Sequence, residues 1–199
     1  GALTDGDVRR GLLKGLDKTS SIIDIIQKKP KYIREDSIDV YKIIEWRNAK
    51  IKILPILDIN DEIIRIINLN DTNSYLPIDV VIMAGGKGTR LHPLTLNIPK
   101  PLLKIGDKAI IEHNIDRLYK YGITDFWISV RYLGDQIKNK LRDGKNENQS
   151  IQYVWEDNPL GTIGAVSKIM NFKNNHVLIT NSDILTNLDY ESFYLDFLE

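Results

Sequence analysis

Seven residues, Ile78-Asp-Val-Val-Ile-Met-Ala84, make an apolar run that stops at the pair Gly85-Gly86. An apolar stretch of that length, closed by glycines, suits a strand buried on both faces, as in the middle of a parallel sheet. The chain after it alternates. Helical spacing near Ala109 to Tyr121 is followed by a strand at Asp125 to Val130, a helix at Asp135 to Arg142 and a polar loop at Asn146 to Ser150. A strand at Ile151 to Glu156, a helix at Thr162 to Met170 and a strand at His176 to Asn181 complete the pattern. That order predicts doubly wound α/β architecture. Tyr190, Phe193, Tyr194, Phe197 and Leu198 then recur at helical core spacing.

The residues before this region read differently. Asp7 to Lys14 and Ser20 to Lys28 carry helical spacing, a third helix is expected near Ser37 to Asn48, and Ile51 to Leu57 and Glu62 to Leu69 form a hairpin across Asp58, Asn60 and Asp61. The polar stretch Asp71 to Pro77 ends in proline and has linker composition, which sets expected domains at 1–76 and 77–199. The first is a small α+β domain.

Composition removes several function classes. The 199 residues hold 27 Lys+Arg and 27 Asp+Glu, so no broad basic surface is available for nucleic acid or an anionic membrane. There is no cysteine, and the 3 histidines (His92, His113 and His176) lie far apart in sequence, which sets aside thiol chemistry and thiolate zinc sites. No apolar run approaches the ~18 residues of a membrane span, and no signal-peptide pattern opens the chain, so a cytoplasmic setting is expected. The chain begins at Gly1 without an initiator Met, and it is expected to be a fragment.

The chemistry concentrates after the first buried strand. GGKGTRLHPLT (85–95) and PKPLL (99–103) bring a glycine loop and the cations Arg90 and Lys100 to the end of that strand. Glycines let a loop turn its N–H groups inward as a nest for phosphate oxygens, and the cations neutralise further phosphate charge. The run lacks the spacing of a Walker A loop and the third glycine of the dinucleotide fingerprint. Trp46, Trp127 and Trp155 fall in helix or strand patterns and are read as core or domain-contact residues. Lys28-Lys29-Pro30-Lys31 is read as a solvated helix end, and Asp107, Glu112 and Asp116 as the polar face of a helix.

Those two motifs resemble the signature of the sugar-phosphate nucleotidyltransferases, of mannose-1-phosphate guanylyltransferase type. The resemblance continues through Pro159 to Ala165, similar to the family's second nucleotide loop, and through Asn181-Ser182-Asp183. It covers Ile78 to Glu199 and implies a Rossmann-like, doubly wound, mainly parallel sheet. It also implies an enzyme of EC 2.7.7 type, in which a sugar 1-phosphate attacks the α-phosphorus of a nucleoside triphosphate and pyrophosphate leaves, with Mg²⁺ as cofactor. The implied roles are nucleotide binding for Ala84, Gly85, Gly86, Gly88, Thr89, Gly161 and Thr162, pyrophosphate binding for Arg90, charge stabilisation at the α-phosphate for Lys100, and metal binding for Asp183. Ser182 stands where the family has glycine, and the family's second metal carboxylate comes later than residue 199. Weak or absent turnover by this chain alone is therefore expected.

Glu156 precedes the second loop at the spacing where related enzymes place a base-reading side chain. A carboxylate only accepts hydrogen bonds, and guanine offers adjacent N1–H and N2–H₂ donors, so GTP is expected over UTP, dTTP or CTP. The expected setting is nucleotide-sugar supply for surface glycans.

The first ten residues, GALTDGDVRR, resemble the end of a cystathionine β-synthase (CBS) repeat, and the stretch to Asp71 resembles a second repeat. The resemblance implies adenine-nucleotide ribose contacts at Thr4, Asp7 and Asp71. A partial CBS-type domain leaves an apolar face to cover, so dimerisation or packing on the transferase domain is expected, and a homo-oligomer is the expected state. A second reading of the whole stays open: a nucleotide-sensing binding module with a non-catalytic transferase-like scaffold.

Overall fold

Helix α1 (Asp5–Leu13) starts where Thr4 and Asp7 cap each other. The Asp7 amide donates to Thr4 Oγ1 at 3.3 Å and the Thr4 amide to Asp7 Oδ2 at 2.9 Å. Two of the four orphan groups of a helix start are satisfied this way. The computed structural model describes residues 1–144, 149–161 and 163–199. They form two compact units, Gly1–Asp39 with Ile53–Ile67, and Val40–Lys52 with Asn68–Glu199. The division therefore does not run as one cut after Leu76.

In the first unit, β1 (Ile33–Arg34) lies parallel to the later strand at Ile53–Leu57, with Ile33 opposite Ile56. Ser20 to Lys28 is not the expected helix but a single 3₁₀ turn, Ile22–Asp24, capped by the Ser21 hydroxyl. Ile22, Ile23, Ile25 and Ile26 supply the reason, since β-branched side chains lose rotamer freedom against a helical turn. Lys28 to Lys31 accordingly ends no helix. Helix α2 (Val40–Asn48) belongs to the second unit. Strands β2 (Ile53–Leu57) and β3 (Ile63–Asn68) complete a sheet of order β1-β2-β3. The turn between them is held by Asp58 Oδ1, which accepts from the amides of Asn60 at 2.8 Å and Glu62 at 2.9 Å.

The second unit is built on β4 (Ile78–Met83), the apolar run. After it come the short hairpin β5 (Lys104–Ile105) and β6 (Lys108–Ala109), helix α3 (Ile110–Tyr119) and β7 (Asp125–Val130). Helix α4 (Gly134–Leu141), β8 (Ser150–Trp155), β9 (His176–Asn181) and α5 (Tyr190–Leu198) follow. Strands β8-β7-β4-β9 form one parallel sheet in that order. Val80, Val81 and Ile82 are fully buried. Ile78, Val80 and Ile82 meet Ile111, Ile115, Leu118, Ile137 and Tyr190 from α3, α4 and α5 on one face. Val81 meets Val154, Ala165 and Ile169 on the other, with Trp127 and Phe172 beside them. This explains why the strand lacks polar–apolar alternation.

Asp79, the polar exception, is buried, and its carboxylate accepts from the Asn174 amide at 2.6 Å. Burial lifts its pKa above the ordinary aspartate value. Glu112 is buried rather than on a polar face, because its Oε2 accepts from the Ala109 amide at 2.9 Å and closes the start of α3. Thr162 to Met170 holds a 3₁₀ segment, Gly164–Lys168, in place of the expected helix, and Thr162 itself lies outside the described residues. Of the expected loop at 146–150, residues 146–148 also lie outside them. In α5 only Tyr190 and Tyr194 of the expected core positions are buried, whereas Phe193, Phe197 and Leu198 are exposed. Trp155 is likewise exposed and lies against Gly134. Arg47 of α2 holds Glu191 of α5 in a bidentate pair at 3.0 and 2.7 Å.

The stretch read as a linker is bound to the turn after α3. The Asn73 amide donates to the Lys120 carbonyl at 2.5 Å and the Leu76 amide to the Tyr121 carbonyl at 2.9 Å. Gly122 has φ +74°, and a Cβ there would stand 2.7 Å from Tyr75 Cα.

The core face makes a direct prediction. Ile128 is fully buried in β7, so Ile128→Ala should destabilise the chain by about 2–5 kcal/mol. Urea unfolding measures this, and a loss below ~1 kcal/mol would contradict the packing described.

Candidate active site

Strand order reverses at β4, which pairs with β7 on one side and β9 on the other. Open parallel sheets bind ligands at such a switch point, beyond the carboxyl ends of the strands. A cavity of about 620 Å³ lies there. Its wall brings together Ala84, Gly85, Gly86, Gly88, Thr89, Arg90, Lys100, Glu156, Gly161 and Asp183, all of them candidates from the sequence.

The glycine loop contributes donors. Among the described residues the amides of Gly85, Gly86, Lys87 and Gly88 donate no intramolecular hydrogen bond. Gly88 takes φ +63°, a left-handed conformation that favours glycine, and ends the loop on a 3₁₀ turn, Thr89–Leu91. Thr95 returns the chain by donating its hydroxyl to the Gly88 carbonyl at 2.8 Å. The Tyr132 hydroxyl holds the carbonyls of Thr95 at 3.1 Å and Leu96 at 2.8 Å. Unspent N–H groups on a fixed loop suit an oxyanion.

Lys100 and Asp183 meet across the cavity, the ammonium donating to Asp183 Oδ2. Lys100 sits on the 3₁₀ turn Lys100–Leu102, and Asp183 two residues beyond β9. Ser182 is buried between them in sequence: its amide donates to the Met83 carbonyl at 3.1 Å, and its carbonyl accepts from Asn114 Nδ2 at 3.0 Å. These bonds fix the Asp183 backbone next to the end of β4. Among the described residues no three His, Cys, Asp or Glu side chains cluster as a metal cage. Asp183 fits the other style of site, in which Mg²⁺ takes one or two carboxylates and completes its shell with substrate phosphates and water.

Glu156 is 8% exposed, so it is not a carboxylate facing water. Its Oε1 accepts from the Ser129 hydroxyl and its Oε2 from the Leu160 amide at 3.3 Å. Those two bonds fix the carboxylate against the second loop and still leave acceptor capacity on each oxygen. Arg131, directly after β7, lines the same cavity and was not among the sequence candidates. Its place just past a predicted strand was the available signal. Ser129 gave none, because its meaning comes from the neighbouring strand, where Ser129 pairs in register with Val154.

Thr4, Asp7 and Asp71 are not among the residues that line this cavity. Thr4 and Asp7 spend their polar groups on each other and on Arg10, 2.5 Å from Asp7 Oδ1, which together hold the Asp7 pKa below its ordinary value. Asp71 belongs to the second unit and accepts from Asn68 Nδ2 at 2.6 Å. His176 Nδ1 is hydrogen-bonded to the Tyr194 hydroxyl at 3.0 Å.

Comparison with known proteins adds to this geometry. A sequence-family model described as "Nucleotidyl transferase" matches residues 79–198. The chain is 34% identical over 121 residues to the mannose-1-phosphate guanylyltransferase of Mycobacterium tuberculosis, covering 60% of this chain and 33% of that protein. It is 38% identical over 109 residues to the mannose-1-phosphate guanyltransferase of Pichia angusta, covering 53% of this chain and 30% of that one. Its fold matches HddC from Yersinia pseudotuberculosis, solved with GMP-PN, at TM-score 0.53 and 31% identity over 61% of this chain and 55% of that chain. The chain thus spans about a third of the curated relatives' length.

The Ser129–Glu156 bond carries its own prediction. Ser129→Ala leaves a buried carboxylate short of one donor and should cost about 1–3 kcal/mol in urea unfolding. An unchanged midpoint would mean that Glu156 is held by other groups.

Proposed function

Because the chain belongs to the nucleotidyl transferase family, we propose that its second unit carries the nucleotide end of a sugar-1-phosphate nucleotidyltransferase that prefers GTP. One observation carries the reading: Gly85, Gly86 and Gly88 with their unspent amides, Arg90, and the Lys100–Asp183 pair surround one cavity at the switch point.

In this reaction a phosphate oxygen of the sugar 1-phosphate attacks the α-phosphorus of the triphosphate in line. A P–O bond forms there as the bridge to the β-phosphate breaks, and the electron pair leaves with pyrophosphate. No covalent enzyme intermediate is needed, so the protein's work is positioning and charge stabilisation. The amides after β4 hold the phosphate oxygens, Arg90 neutralises the departing pyrophosphate, and Lys100 stabilises charge gathering around the α-phosphate. Asp183 is the residue to hold Mg²⁺, which when bound supplies a compact positive charge for the phosphate oxygens. Arg131 adds a further cation to the wall.

The GTP preference rests on Glu156. Its buried carboxylate, oriented by Ser129 and the Leu160 amide, offers acceptors and no donor, which suits the N1–H and N2–H₂ edge of guanine. The named relatives that use guanine nucleotides agree with this choice.

Thermal unfolding of this chain with Mg²⁺ and each of GTP, UTP, dTTP, CTP and ATP tests the reading. A ligand at 100 times its dissociation constant stabilises the folded state by about 2.7 kcal/mol. GTP should give the largest shift, Arg90→Ala should remove most of it, and Glu156→Gln should erase the preference for GTP over UTP. Equal shifts with all five nucleotides in the unmodified chain would end the guanine assignment. A shift that survives Arg90→Ala unchanged would end the site assignment.

A further inference from the structure

A second cavity, of about 510 Å³, opens on the flank of α3. It shares no lining residue with the first. Lys108, Asp116, Arg117 and Lys120 form one side, Thr186 comes from the loop after β9, and Asn73 from the segment bound to the turn after α3.

The donors and acceptors in this wall do not balance. Asp116, the one carboxylate that lines it, is already bound by Lys108 Nζ at 2.8 Å. The His113 Nε2 proton is also spent, since Nε2 lies 2.8 Å from the Ile105 carbonyl, which can only accept. Thr186 Oγ1 accepts from the Leu188 amide at 3.1 Å and keeps its own proton available. Arg117 donates one Nη2 proton to the Leu188 carbonyl at 2.6 Å and stacks 5.8 Å from the Tyr190 ring centroid. Its Nε is buried without a hydrogen-bond partner. Among the described residues the Lys120 ammonium and the Asn73 side-chain amide have no partner either. Buried donors in native structures are nearly always satisfied, so an orphan guanidinium nitrogen on a side chain that lines a polar cavity calls for an acceptor. An arginine with donors still to spend and a lysine without a partner, set among neutral donors and with no carboxylate in the lining other than the paired Asp116, select an anion.

We propose that this cavity is a second anion site that holds the phosphate group of a small phosphate monoester between Arg117 and Lys120, with the Thr186 hydroxyl as a third donor. Donors arriving from three chain segments match a tetrahedral phosphate better than a planar carboxylate. The volume exceeds that of a bare phosphate ion and leaves room for a small organic body along Tyr121 and Leu185. The site does not depend on the nucleotidyl-transfer reading.

The test follows backbone amide signals of the ¹⁵N-labelled chain during titration with glycerol 3-phosphate and, separately, inorganic phosphate at constant ionic strength. Glycerol 3-phosphate should produce saturable shifts over residues 116–121 and 185–186. Lys120→Glu, at an exposed position, should weaken that binding about tenfold or more, as should Arg117→Lys, which keeps the charge and loses the fork. Arg90→Ala, in the first cavity, should leave it unchanged. Shifts confined to residues 85–90, or affinity unaltered in a Lys120→Glu chain whose spectrum remains folded, would overturn the site. Equal affinity for both probes would overturn the monoester and leave free phosphate as the ligand.

Discussion

The absence of solvent from both faces of β4 governs the rest of this structure. Val80 and Ile82 need α3, α4 and α5 over them, and Val81 needs the Gly164–Lys168 turn and its neighbours. A strand covered on both faces sits in a parallel sheet, and parallel strands deliver all their carboxyl ends to one edge. Gly85 lies two residues beyond β4, Arg131 one beyond β7, Glu156 one beyond β8 and Asp183 two beyond β9. Residues separated by nearly a hundred positions therefore share a wall, because the sheet aligns their strands in register. The chemistry of the site is a consequence of hydrophobic burial several ångströms below it.

What could be read in advance follows the range of the physical signal. Strands β7 and β9 match the expected boundaries, because apolar runs closed by polar residues carry their own evidence. The glycine loop was legible for a similar reason, as its backbone requirement is written in residue type. Ser20 to Lys28 failed because spacing alone ignored the cost of four β-branched residues in a helix. The exposed Phe193, Phe197 and Leu198 show a related limit: period predicts a stripe on a helix, while only the neighbours decide how much of it is covered. Ser129 was invisible, since nothing near it in sequence says which strand will lie alongside, and Arg131 was signalled only by its place just past an expected strand.

Polar residues were the hardest to place. Glu112 looks like a surface carboxylate and Asp79 is a lone charge in an apolar run, yet both are buried and accept from backbone amides. Thr4 and Asp7 show the converse, since two residues whose resemblance implies a ligand contact also complete a helix start. Glu156 combines both lessons. Its fixed position comes from local satisfaction, and its remaining acceptor capacity is what any ligand would meet.

The clamp at Gly122 bears on how the chain can be dissected. Residues 71–77 have the look of a hinge, but Asn73 and Leu76 are hydrogen-bonded to the turn after α3, and the backbone at Tyr75 occupies the space a side chain at position 122 would need. A recombinant version starting at Pro77 would strip two acceptors of their donors and uncover the Gly122 turn. One starting at Asn68 would keep the strap in place, although α2 and its Arg47–Glu191 tie would still be lost. The piece that can be cut out cleanly is therefore set by where backbone bonds end, and polar composition is a poor guide to it.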